Sequence, residues 1–152
     1  MGTFGRILFV VLAMLSPVMA WAGPAEDVAA ALDQWTKAFN ANDVDALVKL
    51  YAPDAILIGP AGSSITEGSE AIRKYYARLE KSGDKVLIGI HKVVVVDDSV
   101  AYVAGFNEFS AVRGSETRKS PNRFTMILVK RGDRWLITHQ HSSRRSTPTQ
   151  GG

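Results

Sequence analysis

From residue 23 onward the apolar positions follow two different periods. Val28, Ala31, Leu32, Trp35 and Phe39 recur three and four apart, which predicts an amphipathic helix. Pro24 and the acids Glu26 and Asp27 suit its first turn, and its end is expected at residues 40–42. Asn42 or Asp43 then caps a second, shorter helix with Val44, Leu47, Val48 and Leu50 or Tyr51 inward, stopped by Pro53-Asp54. Residues 55–58 read as a short strand, Gly59-Pro60-Ala61-Gly62 as a turn and residues 64–67 as a second short strand. Gly68-Ser69-Glu70 opens a third helix. Ile72, Tyr75, Tyr76 and Leu79 form its inner stripe, while Arg73, Lys74, Arg78 and Lys81 face water.

Past Ser82-Gly83-Asp84 the pattern turns to β. Residues 86–96 predict one long strand bulged near His91, Asp97-Asp98 a turn, and residues 100–112 the next strand. After the turn at residues 113–116, the apolar runs 124–129 and 135–138 flank Lys130-Arg131-Gly132-Asp133-Arg134 and predict a hairpin. Its last strand is expected to continue through His139-Gln140-His141-Ser142-Ser143. Strict alternation puts Trp135, Ile137, His139, His141 and Ser143 on one face and Leu136, Thr138, Gln140, Ser142 and Arg144 on the other. Each face begins apolar and ends polar, as when a strand leaves a core and lines a cavity, an interface or a rim. Three helices with two short strands, then four long strands, predict an α+β fold: helices gathered on one side of a strongly curved, mostly antiparallel sheet, a cone with an inner cavity.

The first 22 residues break this pattern. Arg6 precedes an acid-free apolar run at residues 7–15, and Ala20-Trp21-Ala22 has the small-x-small form of a cleavage site. Residues 1–22 therefore read as a secretory signal peptide cut after Ala22. The run is shorter than the roughly 20 apolar residues of a spanning helix. Cleavage leaves one domain at residues 23–145 and a loose tail at 146–152. It removes one charge, Arg6, so the net charge falls from +3 to +2. That mild balance argues against nucleic acid or a membrane surface as partner once the leader is gone. With no Cys, an exported domain depends on its core and on subunit contacts for stability. The leader style points to secretion, into a bacterial periplasm.

The element order resembles the nuclear transport factor 2-like superfamily, carried by particular residues. They are Trp35 and Phe39 in the first helix, Asn42-Asp43-Val44-Asp45-Ala46-Leu47 and Tyr51-Ala52-Pro53-Asp54-Ala55 around the second, Gly68, Ile72 and Tyr76 in the third, and residues 132–143 at the end. The chain is more closely similar to SnoaL-like and SgcJ/EcaC-type members and to the association domain of calcium/calmodulin-dependent protein kinase II. The resemblance implies the cone fold and, as a function, isomerase, cyclase, dehydratase, transport adaptor or oligomerisation module; the fold alone does not choose among them. The kinase association domain shares the Trp-x-Ile-x-His-x-His ending, but its pocket arginines are replaced here by Ala104, Met126 and Ser142. The carboxylate base and Tyr-and-acid donor pair of the superfamily's steroid isomerases have no residue-for-residue counterpart.

Three residue groups are candidates for chemistry. His139 and His141, two apart on a strand, suit acid/base work near neutral pH. They would bind zinc or copper only with a third ligand, and His91 is the only other His; a subunit interface or hydrogen-bonded wall is the plainer role. Glu108, among Phe106, Asn107 and Phe109, is a third catalytic candidate if buried and a strand-end surface residue otherwise. If the Tyr102–Glu108 face is inward, as the resemblance suggests, Tyr102, Met126, Gln140 and Ser142 become ligand-binding residues in a mostly apolar cavity. Trp35 and Trp135 are expected in the core, and Arg131-Gly132-Asp133 is a hairpin turn. No Walker loop, dinucleotide glycine fingerprint, His-Glu-x-x-His or Gly-x-Ser-x-Gly occurs. The expectation is a secreted homodimeric domain holding a small, mostly apolar ligand with no cofactor and no metal, or alternatively an enzyme of SnoaL type that moves a proton on a small carbonyl compound.

Overall fold

A computed structural model describes residues 23–145 apart from Ala61 and Ser63. The expected leader and tail lie outside the described residues. The order is α1 (Pro24–Ala41), α2 (Val44–Val48), β1 (Tyr51–Ile58), β2 (Thr66–Glu67), α3 (Gly68–Tyr76) with a 3₁₀ turn (Ala77–Leu79), β3 (Lys85–Val95), β4 (Val100–Arg113), β5 (Glu116–Arg131) and β6 (Arg134–Arg144). One curved, open six-stranded sheet runs β2-β1-β6-β5-β4-β3. Only the β1–β6 contact is parallel. The α+β class and the helices-first arrangement stand as expected.

α1 forms because Val28, Leu32, Trp35, Ala38 and Phe39 share one face, and all five are buried. It stops at Asn42, whose φ of 57° is left-handed, a conformation asparagine tolerates well. The Asn42 amide donates to the Phe39 carbonyl at 3.0 Å and the Asp84 carbonyl at 2.8 Å and accepts from Gly83 N–H at 2.9 Å. One side chain thus ends α1 and ties it to the start of β3. Asn40 makes a similar tie, bonding both backbone groups of Val86. Asp43 caps α2, accepting from Ala46 N–H at 2.9 Å.

Three expectations need correction, two of them because of register shifts. β1 begins at Tyr51, so Tyr51 belongs to a strand and not to the stripe of α2. Pro53 does not end an element; it sits where the β1–β6 register shifts, between Tyr51 and Ile56. A strand proline is tolerated where ladder pairing lapses. In β6, Ile137 faces Leu128 and His139 faces Ile127, leaving Thr138 as an extra residue. A one-residue slip reverses every later side chain. Trp135 and Ile137 point inward before the bulge, and Gln140 and Ser142 point inward after it; all four are buried. His139 and His141, expected beside Trp135, are turned to the outer face. In β3 the register does shift between Ile88 and His91, as expected. Gly105 stands opposite, where an added Cβ would lie 2.5 Å from both the His91 Cβ and the Ile90 carbonyl, so that crossing requires glycine.

β4 corrects the choice of face. Ala101, Val103 and Asn107 are buried, whereas Tyr102 and Phe106 are 37% and 41% exposed. Tyr102, Ala104, Phe106 and Glu108 therefore lie on the outer face, and the helices cover the other. Trp35 and Trp135 are core, as expected.

Candidate functional site

α3, the 3₁₀ turn and the ends of β4, β5 and β6 enclose a cavity of about 240 Å³. Its walls are largely apolar: Phe39 from α1, Leu57 from β1, Tyr75 and Tyr76 from α3, Leu79 from the 3₁₀ turn and Phe109 from β4. Phe39 is the hinge of this lining, its ring 5.2 Å from Phe109 and 6.4 Å from Tyr76. Gln140 and Ser142 supply polar wall, placed there by the Thr138 bulge. Exposed Arg78, Arg113 and Arg144 and half-buried Asp84 stand around the mouth.

A buried hydrogen-bond chain underlies the floor. Trp35 Nε1–H donates to the Tyr51 hydroxyl at 2.9 Å, Tyr51 donates to Gln140 Oε1, and the Tyr51 and Tyr76 hydroxyls lie 2.8 Å apart. Since the single Tyr51 proton goes to Gln140, Tyr76 is the donor to Tyr51. The chain links α1, β1, α3 and β6 and ends at two groups, Tyr76 and Gln140, that line the cavity. Burial raises the pKa of Tyr51 and Tyr76 above the ordinary 10.0; for Tyr51 the bonds from Tyr76 and Trp35 oppose this in part. Tyr75 is raised more mildly, again by burial, with the Arg78 guanidinium opposing. All three are neutral near pH 7.

This has a consequence for stability. A raised folded-state pKa means that the unfolded chain releases its tyrosine protons first. The stabilisation is complete below the unfolded tyrosine pKa, about 10, and is lost as pH rises through the folded values. Unfolding free energies from denaturant titrations between pH 8 and 12 are expected to stay level and then fall above about 10, with a slope approaching about 1.4 kcal/mol per pH unit for each tyrosine that unfolding deprotonates. A Tyr51→Phe/Tyr76→Phe variant is expected to show a shallower fall; an unchanged slope would contradict the assignment.

Nearby on the same sheet face, Asn107 and Asn122 sit opposite each other on β4 and β5. Both are buried, yet both amide atoms of Asn107 and Oδ1 of Asn122 have no partner among the described residues. Buried amides rarely go unpaired, which marks this end of the sheet as more polar than a core requires.

The expected site residues separate into two groups. Met126, Gln140 and Ser142 are buried on the inner face, and Gln140 and Ser142 line the cavity. Tyr102, Glu108, His139 and His141 are on the outer face, with Glu108 in an ion pair with Lys119 at 2.9 Å. His139 is half-buried and His141 exposed, and no third metal-ligating side chain joins them among the described residues. Inward placement of Tyr102 and Glu108 is thus corrected by the alternation of β4, and a shared face for His139 and Trp135 by the bulge in β6. The mouth arginines are not among the expected site residues: Arg78 is expected on a wet helix face, Arg113 in a turn and Arg144 at the end of the last strand. Only the topology, which brings the ends of α3, β4 and β6 together, identifies them as a set.

The model of the SnoaL-like domain family matches residues 28–147. The chain belongs to the SnoaL-like domain family. Solved structures agree with this SnoaL-like domain in fold. A protein from Xanthomonas campestris named as a candidate calcium/calmodulin dependent protein kinase II association domain is 28% identical, covers 85% of this chain and 94% of its own, and superposes with a TM-score of 0.74. An NTF-2 like protein of unknown function from Shewanella oneidensis MR-1 is 25% identical over 79% of this chain and 98% of its own, with a TM-score of 0.65. A ketosteroid isomerase-like protein from Erwinia carotovora atroseptica SCRI1043, at 20% identity over 81% of this chain and 97% of its own, has a TM-score of 0.71; at that identity it shares the fold alone. The expected likeness to the nuclear transport factor 2-like fold and the association domain therefore holds.

Proposed function

We propose that this SnoaL-like domain is a binding module: it holds a small, mostly apolar ligand in its cavity and associates with a second copy through the outer face of the sheet. One observation carries the first half, the cavity of about 240 Å³ walled by Phe39, Leu57, Tyr75, Tyr76 and Phe109, with Ser110, Ser120, Gln140 and Ser142 as neutral polar points and charges at its mouth. An apolar concavity with a few polar groups is the usual form of a small-ligand site. The alternative, acid/base enzyme chemistry by His139, His141 and Glu108, is less well supported, because none of the three lines that cavity. A bound ligand stabilises the folded state by mass action, about 2.7 kcal/mol at a hundredfold excess over Kd. A thermal-shift screen of small aromatic and alicyclic compounds is expected to give hits on the wild type that vanish in Ala111→Trp, which fills the cavity from β4. Hits that persist in that variant, or none at all, would contradict the reading.

The second half rests on the outer face. Leu87, Ile90, Tyr102 and Phe106 are 68%, 83%, 37% and 41% exposed there or along the β3 edge. Clustered exposed apolar side chains mark interaction surfaces. The name of the Xanthomonas neighbour, an association domain, makes another copy of the chain the natural partner, and a two-fold contact uses one patch twice. His139 and His141 would lie within that contact. Light scattering behind size exclusion is expected to give a dimer for the wild type and a monomer for Tyr102→Glu/Phe106→Glu. A wild type that is monomeric throughout its soluble range would overturn this half. Export to the periplasm belongs to the same proposal, supported by the leader pattern of residues 1–22; the exported protein should then begin at Gly23 on N-terminal sequencing, and an intact Met1 would refute it.

A further inference from the structure

The charges around the cavity mouth are unbalanced. Among the described residues, Arg78, Arg113, Arg144 and Asp84 are the charged ones in the lining, for a net of +2. Asp84 is committed: its Oδ1 accepts from Val112 N–H and from Arg113, each at 3.0 Å. Arg113 also donates to the Val112 carbonyl at 2.6 Å, so this pair is closed upon itself. The Arg78 guanidinium lies over the Tyr75 ring, 5.2 Å from its centroid, and Arg144 forms no ion pair among the described residues. Two guanidinium groups without an ion-pair partner among the described residues thus line an aromatic cavity. A guanidinium is the donor best matched to a planar carboxylate.

We infer that the cavity takes a small aromatic monocarboxylate, with the ring system inward against Tyr75, Tyr76 and Phe109 and the carboxylate at Arg78 and Arg144. This rests on the reading of the cavity as a ligand site. The size agrees: a cavity of about 240 Å³ is small, in keeping with a ligand of one or two fused rings. Arg144 is on the inner face beyond Ser142, opposite Asn122, so it reaches the mouth from the polar end of β6. Neither arginine is buried, so their replacement leaves the core intact.

The test is calorimetric titration with two probes of equal shape, 2-naphthoate and the neutral 2-naphthamide. The wild type is expected to bind naphthoate about tenfold or more tightly than the amide, the range for a hydrogen bond to a charged group. In Arg144→Gln and in Arg78→Gln the naphthoate affinity is expected to fall toward that of the amide, while amide binding stays level. Equal affinity for both probes in the wild type would overturn the carboxylate assignment and leave the ligand-binding cavity standing. A preference for naphthoate that survives both substitutions would overturn the assignment to these arginines. Binding of neither probe would overturn both this inference and the reading on which it rests.

Discussion

Trp35→Ala is expected to destabilise the domain by about 3–5 kcal/mol, the usual cost of truncating a fully buried tryptophan. Trp35 is 0% exposed, its ring is 5.4 Å from that of Phe39, and its Nε1–H donates to Tyr51. The substitution therefore opens a cavity beneath α1, loosens the ring that forms the hinge of the ligand cavity, and removes one end of the hydrogen-bond chain. Domains of this size are stable by only about 5–15 kcal/mol, so such a loss leaves a marginal protein. Urea denaturation is expected to show a much lower midpoint; a loss below about 1 kcal/mol, typical of a surface position, would mean that α1 does not anchor the core.

Tyr51→Phe is expected to cost about 2–3 kcal/mol although it keeps the ring and the volume. Its hydroxyl accepts from Trp35, donates to Gln140 and bonds Tyr76. Removing it strands three buried polar groups, and an unpaired buried group costs about 1–3 kcal/mol; relaxation of Tyr76 and Gln140 toward the cavity offsets part of the sum. Trp35 and Tyr51 share a bond, so changes that remove either partner should not add: Trp35→Phe/Tyr51→Phe is expected to cost clearly less than the sum of Trp35→Phe and Tyr51→Phe. Strict additivity in that double-mutant cycle would show the chain to be energetically idle. Ligand affinity should fall in Tyr51→Phe as well, because Tyr76 and Gln140 present the far end of the same chain to the cavity.

The sequence carried the elements better than it carried their orientation. The stripe Val28, Leu32, Trp35, Phe39 and the alternating runs after residue 84 report local periods, and both were legible. The Thr138 bulge was not, because threonine is an ordinary strand residue and one extra position leaves no mark on composition. That single residue decides whether Gln140 and Ser142 or His139 and His141 face the helices. In β4 both parities are apolar, with Ala101 and Val103 inward and Tyr102 and Phe106 outward, so no pattern could select the face. Pro53 reads as a helix stop because proline cannot continue a helix; here α2 has already ended at Val48 and Pro53 occupies a gap in strand pairing. Arg78, Arg113 and Arg144 give no signal as a set because each is far from the others along the chain. Their convergence depends on long-range pairing alone.

The most direct test of a ligand-holding cavity is a ¹H–¹⁵N correlation spectrum recorded while 2-naphthoate is titrated into the protein. Saturable shifts are expected at Leu57, Tyr75, Tyr76, Phe109, Ala111 and Gln140, with the outer-face residues Tyr102, Phe106 and His141 unmoved. Shifts confined to that outer face, or a spectrum that does not change, would contradict it.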